Sequence, residues 1–422
     1  MGMTLTEKII ARHAGLDHVK PGQIVSAKVD LCMANDATMR LNVDIFENKV
    51  KATRVFDPDR VILIMDHQVP ADSPQTAEVH DLSRRFAERY GLTYFYETEG
   101  ICHQVMVEKH VEPGMLVVGA DSHTNSYGVI GAVSCGMGST DVVAVMVRGE
   151  TWLQVPHSVK VELTGSLGAG VYGKDVILNL IKRTTVSGLT YKAVEFAGPG
   201  LDGIPVPQRF TLCNMTTETG AKSSMIAPDA ATYDYIRAVR GSAPEPDPTL
   251  FSDPDAVYEQ TYRIDLGSLT PQVARPHSVD NVVDVGETAG IAIDQAFLGA
   301  CTNARIEDLR EAAKIMGGRK VAKGVRFMVT PASRSVYLQG MREGLLDTFM
   351  SAGAIVNHPG CSACWGACQG VLAAGQTMIS SGNRNFKGRA GSADSNIYLS
   401  SPATVAASAI AGKITDPREF LP

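Results

Sequence analysis

The sequence predicts an α/β protein built from three successive strand–helix units. Short apolar runs of strand length recur ahead of longer stretches with helical periodicity. Several of these runs stop at a polar or cysteine-bearing loop, as strands do at the C-terminal edge of a parallel sheet. At 422 residues the chain also exceeds what one hydrophobic core usually supports.

In chain order, Thr4 with Glu7 forms a capping-box pattern that opens a short helix through Ile9 and Ile10, with Gly15 as its stop. After Pro21-Gly22, the alternation from Ile24 to Leu31 reads as one strand. Val61 to Met65 is a buried-strand run that ends at Asp66-His67, and Asp72-Ser73-Pro74 then starts a helix reaching Tyr90-Gly91. Thr93 to Tyr96 and Met115 to Gly119 are further strands, the second ending at Asp121-Ser122-His123. Ser139-Thr140-Asp141 opens a helix with Val143, Ala144 and Val147 on its apolar face.

Trp152 to Pro156 reads as a boundary, closing a first unit of residues 1–156. A second unit, 157–280, holds a strand at Ser158 to Leu163, a helix at Lys174 to Arg183, a strand at Ala193 to Phe196 and a helix near Arg209 to Thr219. The proline- and acid-rich stretch from Gly241 to Pro254 reads as a loop or linker. A third unit, 281–422, has strands ending at Cys301, Thr330 and Gly360.

Composition excludes several function classes. The chain is 44% hydrophobic and 20% charged, the proportions of an ordinary globular protein. A net charge of −6 without a polybasic run gives no electrostatic reason to expect nucleic acid. No apolar run approaches the roughly 20 residues of a membrane span. The Glu7-Lys8 pair interrupts the apolar core that a signal peptide would need. Eight cysteines over this length are too sparse for a disulfide scaffold, so a reducing cytoplasm with free thiolates is the expected setting.

Chemistry concentrates between Gly360 and Arg389. Cys361 and Cys364 stand two residues apart among small neighbours, which points to a metal or redox site. By spacing alone the pair fits equally a buried structural pair or half of a structural zinc site, which Cys301 and Cys368 would complete. Asn383-Arg384-Asn385-Phe386-Lys387-Gly388-Arg389 follows, with two guanidinium forks suited to carboxylates or phosphates. Asp66-His67, His103 and Asp121-His123 bring imidazoles and carboxylates from three separate loops, the ingredients of tuned acid–base pairs. Asn214 and Glu218, four apart, would share one helix face.

Taken together, these motifs resemble the aconitase family of iron–sulfur hydro-lyases, and within it the large subunits of the isopropylmalate dehydratase and homoaconitase type. The resemblance runs from Met1 to Pro422. It rests on Asp66-His67-Gln68, Cys102-His103-Gln104, Gly119-Ala120-Asp121-Ser122-His123-Thr124, Cys213-Asn214-Met215 with Glu218, Cys301-Thr302-Asn303, the CSAC pair and the NRNFKGR run. It implies a three-domain α/β/α core without the swivelling fourth domain. It also implies a 4Fe-4S cluster on Cys301, Cys361 and Cys364, one iron of which has no protein ligand. Asp66, His67, His103, Asp121 and His123 would surround the substrate, their Asp–His pairs protonating the departing hydroxyl, and Glu218 would hold iron-bound water. Ser122, Asn214, Asn383, Arg384 and Arg389 would bind a small hydroxy di- or tricarboxylate. Cys368 would be a core cysteine on a following helix.

Two departures from the family pattern stand out. In Asn35-Asp36-Ala37-Thr38-Met39-Arg40, Met-Arg replaces the usual Gly-Pro, so Arg40 is expected to add a cation near the substrate. The chain as given stops at Ile414 to Glu419 and beyond to Pro422, as separate large subunits do, so a small swivelling-domain subunit is the expected partner and source of the catalytic serine. Isopropylmalate isomerisation is the leading expectation, with homoaconitate, citraconate, maleate or dimethylmalate chemistry as alternatives. An iron-responsive RNA-binding protein is the non-enzyme alternative.

Overall fold

A computed structural model describes residues 2–366 and 368–421. Met1 and Pro422, the outermost residues of the first and third expected units, lie outside the described residues. The first sheet has five parallel strands in the order Tyr94–Tyr96, Val61–Ile64, Leu31–Asn35, Leu116–Gly119, Val133–Gly136. The second has four parallel strands, Ser223–Ile226, Ala193–Ala197, Ser158–Thr164 and Gln260–Asp265. The third has seven strands, parallel from Asn396–Leu399 through Thr377–Ser380, Gln295–Leu298 and Arg326–Val329 to Ile355–Val356. At its other edge Gln272–Ala274 and Val282–Asp284 run antiparallel, so this sheet takes in chain ahead of residue 281.

The first helix, Leu5–Ala14, has the Thr4–Glu7 capping box and a left-handed Gly15 at φ 66° that ends it. Ser73 caps Pro74–Arg89, with proline in the first turn where no amide bond is lost. The stretch expected as one strand from Ile24 to Leu31 is two. Ile24–Lys28 alternates exposed and buried residues and pairs antiparallel with Glu150–Gln154, whereas Leu31–Asn35 is buried at every position in the centre of the first sheet. The expected boundary at Trp152 is therefore the return strand of this ribbon.

The stretch from Gly241 to Pro254 is a strap held by side chains. Ser252 Oγ accepts the Leu5 amide at 2.7 Å and donates to Glu195 at 2.7 Å, while Asp253 accepts the Met3 amide at 2.8 Å and pairs with Lys8 at 2.5 Å. The 3-10 segment Ser122–Ile130 joins the first two sheets. Asn125 Nδ2 donates to the Cys213 carbonyl at 2.8 Å, and Ser224 Oγ donates to the Asn125 carbonyl at 3.0 Å. Gly128 lies so close to the second sheet that a Cβ there would fall 1.7 Å from the Ser224 carbonyl oxygen. Among the described residues, no helix is long and apolar enough to cross a membrane.

Candidate active site

The C-terminal ends of strands from the first and third sheets open onto one cavity of about 180 Å³. From the first unit it is lined by Asp66, His67, His103, Asp121 and His123, and from the third by Cys301, Cys361, Cys364, Asn383, Arg384 and Arg389. Ala37, Ile101 and Trp365 contribute apolar surface to the lining.

Asp66 and His67 follow the strand Val61–Ile64. Asp66 Oδ1 lies 2.7 Å from His67 Nδ1, and Asp66 Oδ2 accepts the Cys102 amide at 2.7 Å. Asp36, the first residue of helix Asp36–Val43, braces the turn from behind. Its carboxylate accepts the amides of Asp66, His67 and Gln68 at 3.2, 3.1 and 2.9 Å and stands 3.3 Å from His67 Nδ1. These contacts turn Nε2 of His67 toward the cavity, 4.0 Å from Asp121 Oδ2. Burial opposes protonation of His67, but Cys361, Asp66 and Asp36 outweigh it and raise its pKa well above the ordinary histidine value. Trp365 meets the imidazole edge-on, with ring centres 5.3 Å apart.

His103, on helix Cys102–Lys109, is fixed at both nitrogens. Nε2 lies 2.8 Å from Asp121 Oδ1 and Nδ1 lies 3.2 Å from the Tyr127 hydroxyl. Asp121 also accepts the His123 amide at 2.8 Å. Burial pushes the Asp121 carboxyl up, yet bonds to His103 and His123 hold it well below the usual range, so it is ionised. His123 Nε2 lies 2.8 Å from Glu218 Oε1, and Arg384 Nε donates to the same carboxylate at 2.9 and 3.1 Å while its Nη2 donates to Ser122 Oγ at 3.0 Å. Burial raises Glu218, and His123 and Arg384 more than reverse that shift.

The sulfurs are reached by polar donors. Asn214 Nδ2 and Asn383 Nδ2 both donate to Cys301 Sγ, at 3.2 and 3.3 Å, and Arg389 Nη2 lies 3.7 Å from Cys364 Sγ. Arg389 Nε is buried with no hydrogen-bond partner among the described residues. Burial and the neighbouring Cys364 push the Cys301 thiol up to about 12, so bare thiolates here are unfavourable and a soft cation is their natural partner. Ala300 at φ 74° and Ser362 at φ 48° hold strained left-handed backbone beside two of the cysteines. His103, His123 and Cys301, and separately Asp66, His67 and Cys361, bring ligand atoms within 4.8 Å of one another, a donor set able to hold a metal ion.

A profile of the aconitase family (aconitate hydratase) matches residues 7–290 and 286–412. The chain belongs to the aconitase family. It is 47% identical over 423 residues to the 3-isopropylmalate dehydratase large subunit 1 of Methanopyrus kandleri, across 100% of both chains. It is 46% identical over 422 residues to the probable methanogen homoaconitase large subunit of Methanothermobacter thermautotrophicus, covering 99% of this chain and 98% of that one. With the 3-isopropylmalate dehydratase large subunit of Aquifex aeolicus the identity is 47% over 428 residues, covering 100% and 98%.

In this aconitase-family site most of the residues singled out from sequence face one another, with some changes of place. Glu218 stands on the 3-10 turn Thr217–Thr219, past the end of the helix Val206–Thr216 that carries Asn214. It and Ser122 sit behind Arg384, outside the cavity lining. Asn214 and Asn383, expected to bind substrate, point their amide nitrogens at Cys301 sulfur. Arg40 does not line the cavity. Its helix leads away from Asp36, and one turn on Arg40 reaches solvent with 64% of its side chain exposed, 3.6 Å from the still more exposed Glu78. Cys368, expected on a helix, lies in an irregular segment with its thiol donating to the His67 carbonyl at 3.3 Å. Asp36, Tyr127 and Trp365 went unassigned from sequence, and only the position of Asp36 at a strand-to-helix junction could have flagged it.

Proposed function

We propose that this chain is the large subunit of an iron–sulfur hydro-lyase of the 3-isopropylmalate dehydratase type, moving water within a hydroxy dicarboxylate by way of an alkene acid. The observation that carries this reading is one cavity lined by two Asp–His pairs, three cysteines, Arg384 and Arg389. When bound by Cys301, Cys361 and Cys364, a 4Fe-4S cluster supplies a Lewis-acidic iron without a protein ligand.

The chain's own side chains supply binding and proton chemistry. Arg384 and Arg389 present guanidinium groups to substrate carboxylates. His67, kept protonated by Cys361, Asp66 and Asp36, directs Nε2 into the cavity as the acid that protonates the departing hydroxyl, and His103, held by Asp121, stands beside it. Glu218, ionised between His123 and Arg384, fixes both. The base that removes the carbon-bound proton is a serine of a separate small subunit, consistent with relatives that are themselves named large subunits. Partition of acid and base between two polypeptides leaves this chain inactive alone.

A homoaconitase-type reaction is the second reading, supported by the relative of that name. The apolar lining residues Ala37, Ile101 and Trp365 support a branched alkyl substituent over an additional carboxylate. The test is anaerobic reconstitution with iron and sulfide, mixing with a small subunit encoded beside this chain, and ultraviolet absorbance of the alkene product from 3-isopropylmalate, homocitrate, citramalate, malate and 2,3-dimethylmalate. Turnover of 3-isopropylmalate is expected. Turnover by the purified large subunit alone, or of homocitrate in preference, would overturn the corresponding part of the reading.

A further inference from the structure

Lys174 stands out among the charged groups that the proposed chemistry does not use. It lies on helix Gly173–Thr184 in the second unit, fully buried. Among the described residues no carboxylate lies within ion-pair distance of its ammonium group. Nζ instead donates to the carbonyls of Ser381 at 2.8 Å and Gly382 at 2.5 Å. A buried cation answered only by two carbonyls is costly unless something further compensates it.

The two carbonyls occupy a junction. Ser381 Oγ accepts the Gly299 amide at 3.0 Å and faces the Gly299 and Asn303 carbonyls, tying this turn to the loop that carries Cys301. Gly382 fits closely, for a Cβ on it would stand 3.0 Å from Ser380 Oγ and 3.9 Å from Cys364 Sγ. The next residues are Asn383, whose amide reaches Cys301 sulfur, and Arg384, which pairs with Glu218. Lys174 therefore touches the backbone on which both groups hang. Burial brings its pKa down to about 7, and the largest opposing influence is the charge of Cys364, with Asp175, Asp308 and Cys301 after it.

We propose that Lys174 is a positioning residue of the thiolate centre. By holding the Ser381–Gly382 turn it aims Asn383 at Cys301 and Arg384 at Glu218. The iron measurement below rests on the reading of Cys301, Cys361 and Cys364 as a metal site. The positioning role concerns the metal-free chain and stands without it.

The experiment compares wild type with Lys174→Met, which keeps the volume and removes every donor, and Lys174→Gln, which keeps a donor. Amide hydrogen exchange of the metal-free chains is followed at residues 382–385, with the strand Ser158–Thr164 as an internal control. Bound iron, acid-labile sulfide and the visible chromophore are measured after anaerobic reconstitution. For Lys174→Met, exchange at 382–385 should rise about tenfold with the control strand unchanged, and iron retention should fall several-fold, with Lys174→Gln between it and wild type. Wild-type exchange and wild-type iron content in Lys174→Met would overturn the proposal. Faster exchange throughout both variants would also overturn it, by making Lys174 a residue of the whole fold. If wild type itself takes up no iron, the metal reading falls, and exchange at 382–385 alone decides the positioning role.

Discussion

Arg384 Nε donates to both oxygens of Glu218, at 2.9 and 3.1 Å, and Glu218 Oε1 also stands 2.8 Å from His123 Nε2. The carboxylate thus couples a guanidinium of the third unit to an imidazole of the first. Replacing it by an amide preserves shape and removes the charge that both partners need. Glu218→Gln should lower kcat of the reconstituted two-subunit enzyme by about 100-fold or more. A change of less than threefold would show that Glu218 serves only to order the free chain.

Cys301→Ser, Cys361→Ser and Cys364→Ser should each abolish the brown chromophore of the anaerobically reconstituted chain. Cys368→Ser should leave it intact, because that thiol is engaged by the His67 carbonyl. Loss of iron from Cys368→Ser alone would reassign the ligands.

Asp36 is buried and gathers three consecutive backbone amides beside His67. Asp36→Ala would leave those donors without an acceptor. Urea unfolding should show a loss of about 2–4 kcal/mol, accompanied by a fall in kcat larger than any rise in KM, since His67 loses its orientation rather than substrate its binding contacts. Unchanged stability would mean that water replaces the carboxylate at no cost.

The exposed Arg40–Glu78 pair should contribute little. Arg40→Ala is expected to change kcat/KM by less than about threefold, equally across hydroxy-acids that differ in one substituent. A selective loss for one acid would restore Arg40 to the specificity argument, by way of a surface completed by the small subunit.

Burial, reinforced by Arg240 and Lys109, lowers His110 to about 4, from an unfolded value of 6.5. The unfolded chain therefore takes up a proton on this residue while the folded chain does not. Stability present above pH 6.5 is lost as pH falls from there toward 4. With His110 partly open to solvent, the loss is about 1–2 kcal/mol. Melting of His110→Gln at pH 7.5 and pH 5 should show a smaller difference than wild type, by that amount.

Much of this was legible in the sequence because strand-to-loop junctions concentrate chemistry at short range. The run Val61 to Met65 that ends at Asp66-His67 showed both a buried strand and what it delivers, and the cysteine spacing pointed to a metal or redox site without choosing between them. What stayed hidden depends on contacts between distant residues. The stretch from Gly241 to Pro254 read as a loop or linker and is a loop, but nothing in it shows that Ser252 and Asp253 hold the first helix. Arg40 looked like a pocket residue because it stands where the family pattern has Gly-Pro, and a sequence motif does not show that the helix carries that position out to solvent. Asn214 and Asn383 resembled substrate contacts because an amide that serves sulfur and one that serves a carboxylate are the same residue in a sequence.

The seam along Ser122–Ile130 limits how this protein can admit its ligand. With Asn125 and Ser224 bonded across it, and Gly128 pressed on a carbonyl where no side chain fits, that seam contains no hinge. Its two sides cannot part without breaking the bonds that join the first sheet to the second. Those two sheets therefore act as one body, and any widening of the cavity has to come from the wall that the third sheet supplies.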